Sequence, residues 1–98
     1  MSNSGKSLLE IYLGKMLWLL QELMEYQRYA PARDQIMGSF RLLAEMLVQA
    51  LESFSAEDRL TAITQVNVMD AFTEKHFPAG REREAIESEL FIIRRRLR

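Results

Sequence analysis

Residues 7–29 read SLLEIYLGKMLWLLQELMEYQRY. Within this stretch Leu9, Tyr12, Leu13, Met16, Leu20, Leu23 and Met24 recur at helical spacing. Ser7, followed three residues later by Glu10, has the form of a capping box, which predicts a helix over about 7–29. Leu8, Ile11, Leu17, Trp18 and Leu19 are apolar as well, so only a narrow strip through Glu10, Gly14, Gln21, Glu25 and Arg28 stays polar. A helix apolar over most of its circumference must be covered on more than one side. A chain of 98 residues has limited core with which to do so, and this surplus points to a partner.

Working outward, Ala30-Pro31-Ala32 interrupts the pattern, because proline has no N–H to donate and disfavours helix in the residue before it. A second helix is expected over about 33–54. Its core face is Ile36, Phe40, Leu43, Leu47, Ala50 or Leu51, and Phe54, with Leu42 and Met46 on one flank and Met37 and Val48 on the other. The short break predicts that the first two helices form an antiparallel hairpin. Ser55-Ala56-Glu57-Asp58 resembles a helix start, with acids at the dipole's positive end. From there to His76 the periodicity is poor: Leu60, Ile63, Val68, Ala71 and Phe72 can share one broad face, and Val66 and Met69 fall off it. A lone strand would have no sheet to join, so a helix over 56–76, whole or in two pieces, is the reading.

Phe77-Pro78-Ala79-Gly80 is the next break, and a last helix is expected over 81–97. Ile86, Leu90, Ile93 and Leu97 form its stripe, with Phe91 and Ile92 beside it. Glutamates crowd its first half and arginines its second, which complements the helix dipole. The fold class is therefore all-α: one domain over 1–98, a small bundle of three or four helices built on the N-terminal hairpin.

Composition narrows the chemistry. The net charge is −1 and there is no cysteine. The first gives no global attraction to nucleic acid or acidic lipid. The second removes disulfides, thiol catalysis and Cys-ligated zinc, and suits a reducing, cytoplasmic setting. The longest unbroken apolar run is Met16–Leu20, far short of the roughly 20 residues of a membrane span, and no secretory signal is expected. Gly5-Lys6-Ser7 lacks the upstream glycine and strand of a phosphate loop. His76 is the single histidine, with only Asp70 and Glu74 near it, too little for a metal site or a triad. Glu82, Glu84, Glu87 and Glu89 read as a solvated face rather than an acid–base cluster. No catalytic residue, cofactor or metal ligand is expected.

Two candidate contact surfaces remain. Ile11, Trp18 and Leu19 on the first helix and Leu42 and Met46 on the second are expected to meet another protein, either a second copy in a homodimer or a heterologous helix. The chain would then be a non-enzymatic adaptor, assembly subunit or small chaperone. The alternative is a regulator that touches nucleic acid through Arg94, Arg95, Arg96 and Arg98, whose planar donor forks suit phosphate.

Overall fold

The computed structural model describes the backbone of residues 4–97 and the side chains of residues 8–97. Four α-helices account for nearly all of it: α1 Ser4–Glu25, α2 Ala30–Ala50, α3 Ala56–His76 and α4 Arg81–Leu97, with one 3₁₀ turn, Leu51–Ser53, after α2. The described residues contain no strand, and no helix among them is long and apolar enough to cross a membrane. The chain is all-α, a bundle in which α1 meets α2 and α3, and α4 meets the same two from the other side.

The helix ends follow local chemistry, and four of them differ from the sequence reading, one being the end of α2, which gives way after Ala50 to the 3₁₀ turn instead of running to Phe54. The backbone of α1 is already helical at Ser4, so Ser7 lies inside the helix; its side chain, and with it the expected cap, lies outside the described residues. At the other end α1 stops at Glu25, and a turn of 26–28 follows instead of a further helical turn to Tyr29. Pro31 does not separate the helices. It sits in the first turn of α2, where its missing N–H would have no intrahelical partner anyway. Tyr29 is the extended residue that precedes the helix, and its carbonyl accepts from Arg33 N at 2.9 Å. The expected break at 30–32 therefore moves to 26–29.

The remaining ends are held by named bonds. Ser55 Oγ accepts from Asp58 N at 3.1 Å and caps α3. The Arg59 guanidinium donates to Leu51 O at 2.8 Å, fixing the α2–α3 connection. At the far end of α3, Phe77 N bonds to Thr73 O, and the buried Phe77 ring anchors the link to α4.

The core takes Leu9, Leu13, Met16, Leu20 and Leu23 from α1, Phe40, Ala44 and Leu47 from α2, and Ile86, Leu90, Ile93 and Leu97 from α4. In α2 the buried face is turned slightly from expectation: Met37 is buried, whereas Ile36 and Leu43 are half-buried. In α3 it is turned further, so that of the expected face only Ile63 and Phe72 are half-buried against the core. Ala62, Val66, Met69 and Thr73 are buried, while Leu60, Val68 and Ala71 are exposed. The physical reason is fit. Ala62 is small enough to let α3 approach its neighbours closely, and Thr73 is acceptable inside because its hydroxyl bonds back to Met69 O at 2.8 Å. Leu60 and Val68 are left outside, while Ile63 and Phe72 pack half-buried against the edge of the core.

This face can be checked by substitution. Met69→Ala should cost about 2–4 kcal/mol in urea unfolding, the usual cost of emptying a core site. Leu60→Ala, at a side chain 65% exposed, should stay within about 0.5 kcal/mol. The reverse order would restore the face read from hydrophobicity.

Candidate functional site

On α1 the two faces that meet α2 and α3 use up Leu9, Leu13, Met16, Leu20 and Leu23. What is left over forms an outer stripe. Ile11 and Trp18 are 53% and 57% exposed, and across the α1–α2 seam Leu42 is 58% exposed. Between the two helices runs a groove of 480 Å³ walled by Gly14, Lys15, Trp18, Ser39, Leu42 and Leu43, with Leu19 beneath it. Its lining is mostly apolar, with a single charge, Lys15. Such a groove accepts bulky apolar side chains from a docking element.

Of the five residues singled out from the sequence, Trp18, Leu19 and Leu42 line this groove together. Leu19 is only 9% exposed, so it forms the floor and packs into the chain's own core rather than presenting a free surface. Ile11 stands two turns before Trp18 on the same exposed stripe, and Met46 one turn after Leu42. Both are exposed, but neither walls the groove. Gly14, Lys15, Ser39 and Leu43 were not anticipated there. Gly14 carries a signal in hindsight: a glycine within an apolar run leaves open space, and a Cβ added to it would meet nothing within 4 Å.

The C-terminal arginines are divided by the fold. Arg94 donates to Asp70 Oδ2 at 3.0 Å and to Asn67 Oδ1 at 2.8 Å, so it belongs to the α3–α4 contact. Arg95 and Arg96 are exposed beside Phe91 and Ile92, and Arg98 lies outside the described residues. Asp70, Glu84 and Glu87 line the adjoining depression together with Arg94, Phe91 and Ile92.

The acids near His76 are likewise engaged: Glu74 faces Arg83 at 3.7 Å, and Asp70 holds Arg94. The imidazole itself leans on the Phe72 ring, with centroids 4.5 Å apart. Among the described residues no three His, Asp or Glu side chains gather as a metal site. The glutamates of α4 do more than face solvent. Glu82 meets Arg33 at 3.6 Å, Glu89 meets Arg41 at 4.0 Å and Glu87 meets Arg83 at 3.3 Å. Two of these pairs tie α4 to α2, and Arg83–Glu74 and Arg94–Asp70 tie it to α3. The chain matches no protein-family model, no curated protein and no solved structure.

One of these carboxyls has a pH signature. Burial pushes Glu89 above the ordinary glutamate value of 4.5; the nearby Arg41 guanidinium pulls it back in part, and Glu45 pushes it up further. A raised carboxyl binds its proton more tightly in the folded chain than in the unfolded one. Its contribution is therefore present below 4.5 and is lost as the pH rises through the raised value. Glu89→Gln removes the effect. The melting temperature of the variant should gain on the parent as pH rises from 4.5, then run parallel to it once Glu89 is ionised. A variant that loses ground over that span would mean the Arg41 pair outweighs burial.

Proposed function

We propose that this chain is a non-enzymatic protein–protein interaction module that docks through the α1–α2 face, with a second copy of itself as the first partner. The observation that carries the reading is the pairing of an apolar groove with Trp18 and Leu42, two large side chains more than half exposed on either side of it. Monomeric proteins seldom leave contiguous apolar surface of this kind open, and a tryptophan next to a pocket is the usual anchor of an interface. A role as an adaptor, assembly subunit or small chaperone in the cytoplasm fits such a surface. A heterologous amphipathic helix would use the same groove.

The reading includes an antiparallel α1–α2 hairpin as its rigid base. Five contacts support it. Gln27, just past α1, reaches the His76 carbonyl at the end of α3, at 3.5 Å. Arg33–Glu82 and Arg41–Glu89 advance in step along α2 and α4, so these two run the same way. Asp70–Arg94 and Glu74–Arg83 run in opposite order along α3 and α4. Together they support an up-down-up-down bundle, in which consecutive helices are antiparallel.

A nucleic-acid role through the arginines takes second place. The Asp70 carboxylate neutralises Arg94, which leaves Arg95 and Arg96 as the exposed arginines of the run among the described residues.

Light scattering on a chromatographed dilution series tests the proposal. The expected mass at high concentration is twice 11.5 kDa. Trp18→Glu should weaken association by about 2 kcal/mol or more, with unchanged helical circular dichroism. Loss of helix in that variant would make Trp18 a core residue and contradict the reading.

A further inference from the structure

The outer stripe of α1, exposed except at the half-buried Glu22, has a pattern of its own. Leu8, Ile11, Lys15, Trp18, Glu22 and Tyr26 follow one another at three- and four-residue steps, so they lie along one line of the helix. Tyr26 still belongs to that line, because its N–H bonds to Glu22 O at 3.0 Å as the next helical residue would. Read from either end, the order is apolar, charged, Trp18, charged, apolar. Lys15 with Glu22 and Ile11 with Tyr26 are both centred on one point, between Trp18 and Leu19. Leu8 with Tyr29 shares that centre, Tyr29 being the exposed residue just before α2.

Such a pattern is self-complementary only in one orientation. Laid parallel about a two-fold axis, two α1 helices would set Lys15 against Lys15 and Glu22 against Glu22. Laid antiparallel and crossed at Trp18, they set each Lys15 against the partner's Glu22, and each Ile11 against the partner's Tyr26. Neither Lys15 nor Glu22 takes part in an ion pair among the described residues, so both charges are available.

We infer that the partner on the α1–α2 face is a second copy of this chain, docked antiparallel along α1 with its two-fold axis beside Trp18 and closed by two symmetric Lys15–Glu22 ion pairs. The inference rests on the self-association proposed above and adds its register. Crossing there brings each Trp18 next to the partner's groove, where Gly14 leaves room and Leu42 supplies the far wall. The area is of the right order. Half-exposed side chains of this size each offer on the order of 100 Å², so Leu8, Ile11, Trp18, Tyr26, Leu42 and Met46 together offer on the order of 600 Å² per protomer. A stable interface takes roughly 800 Å² from each partner, and the aliphatic stems of Lys15 and Glu22 contribute toward the difference.

Charge reversal tests the register. Lys15→Glu places four acids around the axis, and Glu22→Lys places four lysines there. Each variant alone should dimerise roughly ten- to a hundredfold more weakly than the parent in sedimentation measurements at low salt. Mixed in equal amounts, the two should form a heterodimer of near-parental affinity, since both contacts are then of opposite sign. High salt should narrow all these differences. Circular dichroism on both variants checks that the fold is intact. If neither substitution alters a dimer that Trp18→Glu still disrupts, the register is overturned and the docking face stands. If the parent is monomeric at every concentration, or Trp18→Glu leaves its dimer intact, both the register and the α1 self-association fail.

Discussion

A helix at the corner of a four-helix bundle meets two neighbours, and two neighbours cover only about half of its circumference. That limit governs this chain. The first helix is apolar beyond the arc that α2 and α3 cover, and α4 packs on those two helices rather than on the open side of α1. The stripe through Leu8, Ile11 and Trp18 is therefore left open as a consequence of packing geometry. Everything proposed about the protein's role follows from what covers that stripe.

The other side of the bundle is organised by charge. Arg33 and Arg41 on α2 reach Glu82 and Glu89, while Asp70 and Glu74 on α3 reach Arg94 and Arg83. Each pair is partly exposed and modest by itself, on the order of 1 kcal/mol or less. Their value is in register: α4 slides one turn only by breaking contacts with both neighbours together. Burial of Glu89 shows that this latch has a cost, since its carboxylate gives up water for a long contact with Arg41. The exposed apolar stripe on α1 and the ion pairs that hold α4 to α2 and α3 thus lie on different parts of the bundle.

Much of this was legible in the residues. The all-α class, the Ser55 cap and the stripe of Ile86, Leu90, Ile93 and Leu97 all follow from period and capping chemistry, which act over a few residues. What was not legible depended on distant neighbours. Pro31 reads as a breaker, and only the turn at 26–28 places it inside the first turn of α2, where proline is tolerated. In α3 the larger apolar side chains Leu60 and Val68 outweigh Ala62 and Thr73 on any hydrophobicity count, yet the buried line runs through Ala62, Val66, Met69 and Thr73. Leu19 could not be told from Trp18, because both lie in one apolar run and only the position of α2 decides which is floor and which is rim. The arginine run looked uniform until Asp70 and Asn67 claimed Arg94.

Trp18 is the chain's single tryptophan, so its emission reports on the proposed contact alone. The most direct measurement follows that emission, selectively excited, down a dilution series. Burial of the indole against a second copy predicts emission toward the blue at high concentration, moving red as the dimer dissociates, with Lys15→Glu shifting the midpoint to higher concentration. Emission that stays at the solvent-exposed position at every concentration would contradict the account, because it would leave the open stripe of α1 uncovered by its own kind.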